Sequence, residues 1–178
     1  RKVFKGKTIV VINKDISRDG QNFTIEFARR SPGTRVIIEK DGHLILNKEF
    51  RHELGRYDYR LPGGKVFESV TEYNDALDQN VDLNEAIKQG ALKEALEEAG
   101  VDAQDASFIY KSINGATVEW DLYYFVIKDF KQTAQDLGEG EDIQIEIVDK
   151  EKAKEMCLDG SISEDRSAMV LLRYLNGK

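Results

Sequence analysis

Three glutamates, Glu94, Glu97 and Glu98, lie close together in the stretch KEALEEAG at residues 93–100. Positions i, i+3 and i+4 share one side of a helix, so the three carboxylates would face the same way. Gly100 is typical of the residue that ends a helix, and exposed carboxylates at that negative end of the dipole cost about 0.3–1 kcal/mol each. Such charge runs are usually solvated helix faces, but the cost of this placement favours a chemical role.

Two glycines upstream supply the other part of a candidate metal site. Gly63 and Gly64 allow the backbone to approach closely and to present a carbonyl oxygen. A carbonyl oxygen beside two carboxylates forms an all-oxygen site of the kind that Mg²⁺ and Mn²⁺ prefer. Because a metal ion would remove the repulsion between the carboxylates, we predict a site for Mg²⁺ or Mn²⁺ at this place.

The composition limits the partners of the chain. Its 178 residues are close to one domain, and its net charge of −7 argues against nucleic acid or an anionic membrane as a partner. A small phosphorylated ligand is compatible with this charge, because a divalent metal ion bridges acidic protein and acidic substrate. Cys157, the only cysteine, excludes an internal disulfide, and a reducing cytoplasm is the expected location. No apolar stretch reaches the length of a transmembrane helix, about 18 residues.

The elements that must position these residues form a mixed α+β pattern. Strands are predicted at 7–12, 23–30, 35–50 (a hairpin), 107–113, 118–130 and 143–149. Helices are predicted at 69–79, 83–99, 150–160 and 163–176, with an Asp82–Glu85 capping box on the second and Ser163 as the cap of the last. Residues 1–32 are predicted to form a small antiparallel β-unit before a main domain at 33–178, with loops at 51–65 and 135–142.

Residues 90–101, GALKEALEEAGV, resemble the second half of a Nudix box, whose pattern is G-x5-E-x7-R-E-U-x-E-E-x-G-U with U a bulky aliphatic residue. The positions that match the pattern in order are Gly64, Glu85, Glu94, Glu97, Glu98, Gly100 and Val101. The resemblance implies the Nudix α/β/α sandwich, in which a mixed sheet lies between helices. It also implies metal-dependent hydrolysis of a nucleoside diphosphate linked to another moiety.

The sequence departs from the box at three places. Lys93 replaces an arginine, Ala95 replaces a larger aliphatic residue, and Gly64 and Glu85 are separated by twenty residues rather than five. Lysine offers a point charge where arginine offers a planar fork. The insertion, at about residues 69–83, bears on access and substrate choice more than on the metal site.

The similarity extends outside the box to ADP-ribose pyrophosphatases. Residues 4–30 resemble their N-terminal strands, 49–65 resemble the segment that leads into the box, and 137–148 resemble their acidic loop and the strand after it. The resemblance implies a homodimer formed in part by residues 1–32, and ADP-ribose as a substrate that is cleaved to AMP and ribose 5-phosphate. Tyr57, Tyr59 and Trp120 are candidates to stack on adenine, although core packing is the stronger expectation for Trp120.

The resemblance also implies a role for each site residue. The metal ligands are Glu94, Glu98, the Gly63 carbonyl and Glu141, and the catalytic residues are Glu139 as general base, Glu97 and Lys93. The substrate-binding residues are Arg29, Arg51 and Glu119, while Gly64, Glu85 and Gly100 are structural, with Glu85 expected to support Lys93. Surface salt bridges for the two arginines, and an exposed acidic loop for Glu139 and Glu141, are the alternatives.

Two other functions stay open. The insertion favours a Nudix hydrolase of another nucleotide, such as an NDP-sugar, a dinucleotide or an NTP. Lys93 favours a catalytically weak sensor that binds ADP-ribose, although the retained glutamates oppose this interpretation.

Overall fold

The structure is a computed structural model that describes residues 1–178 as twelve strands and four helices. The strands before the first helix are β1 (Lys2–Lys5), β2 (Ile9–Arg18), β3 (Gln21–Arg30), β4 (Gly33–Lys40), β5 (His43–Arg51) and β6 (Arg56–Arg60). They are followed by α1 (Val70–Asp78), α2 (Leu83–Ala99), β7 (Val101–Asp102), β8 (Ser107–Ser112), β9 (Val118–Glu119), β10 (Leu122–Ile127), β11 (Lys131–Gln132), β12 (Ile143–Asp149), α3 (Lys150–Leu158) and α4 (Asp165–Leu175). None of the four helices has the length and apolar character needed to cross a membrane.

The N-terminal β-unit is a sheet of four strands in the order β1-β2-β3-β9. Residues 1–32 do not form the whole of this sheet, because β9 from the main domain pairs parallel to β3, with Arg29 opposite Glu119. The single strand predicted at 118–130 is therefore wrong, since its first part joins this sheet and its second part, β10, joins the main sheet. Backbone pairing thus attaches the N-terminal strands to the main domain.

The main sheet has the strand order β12-β5-β4-β10-β8, with β6 paired to β5. Only β4 and β10 run parallel within it, so this sheet is mixed. Side chains along β4 alternate between its two faces: Val36 and Ile38 pack with residues of α2, whereas Ile37 packs with residues of α3 and α4. The sheet therefore lies between one helix and a pair of helices, which confirms the predicted α/β/α sandwich.

The helix α2 carries the three glutamates and packs on the sheet through small residues. Its buried positions recur every four residues, at Ile87, Ala91, Ala95 and Ala99. Ala95, one of the departures from the box, has no exposed surface and lets the helix lie close to the sheet. The helix ends at Gly100, whose φ of 62° is left-handed, and both bounds agree with the prediction.

The capping box predicted at the start of α2 is wrong. Asp82 does cap the helix, but it accepts a hydrogen bond from the backbone N of Asn84 at 2.9 Å. Glu85 accepts a hydrogen bond from the side chain of Gln89 at 2.8 Å instead of reaching back to the cap. Glu85 thus bonds Gln89, its i+4 neighbour on the helix surface, and not the backbone N of Asp82 as a capping box requires.

The segment at 51–65, predicted as a loop, contains β6. Asp58 of this strand is fully buried, pairs with Arg60 at 2.6 Å and accepts a hydrogen bond from the hydroxyl of Ser163 at 2.8 Å. Ser163 therefore anchors β6 and does not cap α4, which begins at Asp165 without a side-chain cap.

Candidate active site

The candidate site forms where the C-terminal half of α2 meets the Gly63–Gly64 turn. One carboxylate oxygen of Glu98 accepts hydrogen bonds from the backbone N of Gly63 at 2.7 Å and from the side-chain amide of Asn47 at 2.8 Å. The Glu94 carboxylate lies against Gly64, where a Cβ atom would be 2.3 Å from Oε1 of Glu94. The turn and the helix therefore position both glutamates against one short stretch of backbone.

Gly63 and Gly64 are required for different reasons. Gly63 has a φ of 150°, and a Cβ atom there would lie 2.1 Å from the carbonyl oxygen of Thr34, so the backbone of β4 excludes a side chain. At Gly64 the obstacle is the Glu94 carboxylate itself. The carbonyl oxygen of Gly63 makes no backbone hydrogen bond, which leaves it free to act as a ligand.

A cavity of about 370 Å³ opens beside these groups. Its cationic lining residues are Arg30, Arg35, Arg51, Arg60 and Lys65, and its acidic ones are Glu49, Glu98 and Glu141. Arg35 is buried and donates two hydrogen bonds of 2.9 Å to Glu164. Cations beside buried carboxylates suit an anionic ligand that meets the carboxylates through a divalent metal ion.

Burial raises the pKa of Glu94 and that of Glu98 to about 7. Loss of contact with water is the largest cause for both groups. The Glu97 and Glu141 carboxylates raise the pKa of Glu94 further, and Glu94 does the same to Glu98. Neither Glu94 nor Glu98 forms an ion pair, since Lys93 pairs with Glu97. Two partly buried carboxylates that form no ion pair with a cation make an electrostatic arrangement that a divalent metal ion would complete.

The donor atoms present fit Mg²⁺ or Mn²⁺, which prefer oxygen ligands. Besides the two glutamates and the Gly63 carbonyl, Oδ1 of Asn47 is buried without a hydrogen-bond partner. The Glu141 carboxylate raises the pKa of Glu94 by repulsion, so a third carboxylate is near. No group of three or more His, Cys, Asp or Glu side chains is arranged to hold a metal ion by itself.

We expect Glu94→Gln to stabilise the metal-free protein above neutral pH. The pKa of Glu94 is raised in the folded state, so the stability it contributes is present below its ordinary pKa and is lost as pH rises through about 7. In EDTA at about pH 8 the variant, which lacks the carboxylate charge, should be more stable by about 2 kcal/mol, and near pH 4, below the ordinary pKa of glutamate, it should show almost no gain. Urea unfolding at both pH values measures this difference. The exposed Glu151→Gln is the control, and equal stability of Glu94→Gln and the wild type at the higher pH would contradict the expectation.

Lys93, which replaces the arginine of the box, pairs with Glu97 at 3.4 Å and approaches Glu68, just before the inserted segment, at 4.0 Å. The expected support of Lys93 by Glu85 is wrong, because Glu85 contacts Gln89. Eight residues of helix separate Glu85 from Lys93 by about 12 Å, whereas Glu97 lies one turn away.

The acidic loop brings one of its two predicted residues to the cavity. Glu141 lines the cavity and accepts a hydrogen bond from the backbone N of Gly138 at 2.9 Å. Glu139 is exposed and does not line it. The role of Glu139 as general base stays a prediction.

The predicted substrate-binding residues separate into two groups. Arg51 lines the cavity, where it pairs with Glu49 at 3.1 Å. Arg29 and Glu119 pair with each other at 2.7 Å, and neither lines the cavity. Arg29 also donates to the side chain of Asn74 in α1 at 2.8 Å.

Arg30 and Trp120 line the cavity where Arg29 and Glu119 do not. Successive residues of a strand face opposite sides. Arg30 follows Arg29, and Trp120 follows its partner Glu119, so both lie on the cavity side. The Arg30 guanidinium is 4.2 Å from the centre of the Trp120 ring. Sequence reasoning missed Arg30 because two adjacent arginines give no sign of which one faces inward.

The fold and the glutamate pair together define the class of structure: an α/β/α sandwich with a candidate metal site at the end of one helix. Among solved structures, that of an ADP compounds hydrolase is similar to this chain, with a TM-score of 0.71 over 99% of this chain and 91% of that chain. The sequence identity is 21%, so the comparison shows a shared fold. It confirms the fold expected from the Nudix resemblance. No family model matches the sequence, and no curated protein matches it significantly.

Proposed function

We propose that the protein is a metal-dependent hydrolase that cleaves the diphosphate bond of a nucleoside diphosphate linked to another moiety. The observation that carries the proposal is the partly buried pair Glu94 and Glu98, which forms no ion pair and lies at the Gly63–Gly64 turn beside a cavity with an arginine-rich lining. ADP-ribose, cleaved to AMP and ribose 5-phosphate, is the proposed substrate. The similarity to an ADP compounds hydrolase supports this choice.

Each group in the site has a role in the proposed reaction. The groups that would hold Mg²⁺ or Mn²⁺ are Glu94, Glu98, the Gly63 carbonyl and Glu141. When bound, the metal ion supplies positive charge to the diphosphate and lowers the pKa of a water molecule. Arg30 and Arg51 donate to phosphate oxygens, for which the guanidinium fork is suited. Lys93 pairs with Glu97 beside the proposed ligands, and Glu139 of the acidic loop is the proposed base for the attacking water.

Incubation of the protein with ADP-ribose and Mg²⁺ tests this proposal. We expect AMP and ribose 5-phosphate in equal amounts, no free phosphate until a phosphatase is added, and no product in EDTA. Parallel reactions contain an NDP-sugar, a dinucleotide or an NTP. Hydrolysis of one of these compounds but not of ADP-ribose would overturn the proposed substrate, and binding of ADP-ribose without hydrolysis of any compound would favour the sensor.

A different nucleotide is the second candidate, and the inserted segment favours it. Residues 67–70 form a wall next to the site, and Asn74 of α1 bonds Arg29 of the N-terminal β-unit. The insertion thus shapes the space next to the proposed diphosphate site, where it bears on which substrates fit.

We also propose a homodimer that forms through the N-terminal β-unit. This unit exposes large apolar side chains, namely Val3, Phe4, Ile9, Phe23 and Ile25. Several large exposed apolar side chains on one small sheet favour packing against another chain. Sedimentation velocity should give twice the mass of the chain, and a monomer would contradict the proposal. The cytoplasm is the proposed location on the basis of the single cysteine.

A further inference from the structure

A second cavity, of about 180 Å³, lies next to the candidate active site. Arg30 and Lys65 line both cavities, so the two adjoin. Lys7 and Thr8 of the N-terminal β-unit form one wall of the second cavity, and residues 67–70, which lead into the inserted segment, form another. Apart from Arg30, the proposed function uses no residue of this second cavity, and the first two residues of the insertion, Ser69 and Val70, complete its wall.

Hydrogen bonds hold the wall formed by residues 67–70 in place. The backbone N of Phe67 donates to the hydroxyl of Ser31 at 3.0 Å, and Ser31 is itself buried. The backbone N of Val70 donates to the carbonyl oxygen of Lys7 at 3.1 Å. These bonds connect residues 67–70 to two other parts of the chain, so this wall of the second cavity is held in place.

The second cavity carries more positive than negative charge. Its charged lining residues are Lys7, Arg30, Lys65 and Glu68. Glu68 pairs with Lys65 at 2.6 Å, whereas Lys7 and Arg30 form no ion pair. Two cations without a counter-charge favour an anionic ligand.

Arg30 differs from the other arginines of the first cavity. Each of the others has a carboxylate partner, in the pairs Arg35–Glu164, Arg51–Glu49 and Arg60–Asp58. Arg30 lies on the ring of Trp120 instead, and both burial and repulsion from Arg35 lower its pKa. A half-buried guanidinium that lacks a carboxylate gains most from an added anion.

We propose that the second cavity is a subsite for a phosphate monoester carried by the moiety linked to the nucleoside diphosphate. The inference rests on the proposed function, because it extends the substrate from the diphosphate, past Arg30, to a further phosphate. Lys7 and Arg30 supply the charge that binds this phosphate. The preferred substrates are then nucleoside diphosphates whose distal sugar is phosphorylated.

The test compares ADP-ribose with ADP-ribose 1″-phosphate, which adds one phosphate monoester to the distal ribose. For the wild type with Mg²⁺ we expect kcat/KM to be about tenfold higher for the phosphorylated compound. In Lys7→Gln this preference should fall to about twofold or less. Lys14→Gln removes an exposed lysine of β2 that lines neither cavity and should keep the preference of the wild type.

Binding without turnover separates this inference from the proposed function. Trp120 is the only tryptophan and lines the first cavity, so its fluorescence in EDTA reports binding. Tighter binding of the phosphorylated compound, lost in Lys7→Gln, would support the subsite even if neither compound is hydrolysed, in which case the proposed function falls. The same preference in Lys7→Gln as in the wild type, or none in either, would overturn the subsite and leave the function standing.

Inorganic phosphate, titrated in the same fluorescence assay, distinguishes a free anion from a phosphate on the substrate. We expect it to bind weakly, and more weakly still to Lys7→Gln. If inorganic phosphate binds in a Lys7-dependent manner while ADP-ribose 1″-phosphate shows no advantage over ADP-ribose, the cavity takes a free anion and the inference about the substrate is overturned.

Discussion

Replacement of Glu98 by glutamine should reduce kcat/KM for ADP-ribose by about 10³-fold, or about 4 kcal/mol of transition-state stabilisation. Glu98 is one of the proposed metal ligands, and Gly63 and Asn47 orient its carboxylate. Both hydrogen bonds reach the same carboxylate oxygen, and glutamine has the same length, so its carbonyl oxygen with two lone pairs still accepts both of them. The fold should therefore persist while the negative charge that attracts the metal ion is lost.

Two measurements separate a lost metal ion from a lost fold in this variant. Mg²⁺ should raise the melting temperature of the wild type, because a ligand that binds only the folded state stabilises it, and should raise that of Glu98→Gln much less. Glu151→Gln removes an exposed glutamate of α3 and should keep the activity and the Mg²⁺ response of the wild type. Equal activity of Glu98→Gln and the wild type would contradict the assignment of the metal site.

The sequence alone predicts those parts of the site that local signals determine. The bounds of α2 depend on a cap at Asp82, a small-residue stripe of helical period and a stop at Gly100, all within one segment. Spacing along a single helix likewise placed Glu94 and Glu98 on one side. The α/β/α sandwich was predictable because the box is a local pattern with a known structural context.

Features that depend on contacts between distant segments were not predictable in this way. The choice between Arg29 and Arg30 at the cavity is fixed by the pairing of β3 with β9, which lie far apart in the sequence. A shift of one residue in such a pairing exchanges the two faces of the strand. The sequence predicts Ser163 as a helix cap because its partner, Asp58, lies in a strand that no local pattern indicates.

Replacement of Gly64 by alanine should lower kcat/KM for ADP-ribose by roughly 10²-fold and leave the stability of the protein almost unchanged. The added Cβ atom would lie 2.3 Å from Oε1 of Glu94, so one of the two must move. The carboxylate is the far end of a flexible side chain and can move aside at little energetic cost, so the stability of the fold should not change. Its displacement takes a proposed ligand away from the metal ion, and a misplacement of about 1 Å is enough for a loss of this size.

Gly63→Ala is the matched comparison, because the new Cβ atom there would collide with backbone atoms and not with a side chain. The new Cβ atom would lie 2.1 Å from the carbonyl oxygen of Thr34, at a φ of 150° that only glycine readily adopts. We expect this variant to lose about 3 kcal/mol or more of unfolding free energy, whereas Gly64→Ala should lose activity at wild-type stability. Urea unfolding and ADP-ribose hydrolysis, measured on both variants, test the contrast. Full activity in Gly64→Ala would show that the Glu94 carboxylate can be displaced without consequence and is not a metal ligand, and equal unfolding of the two variants would show that Gly64 serves the backbone alone.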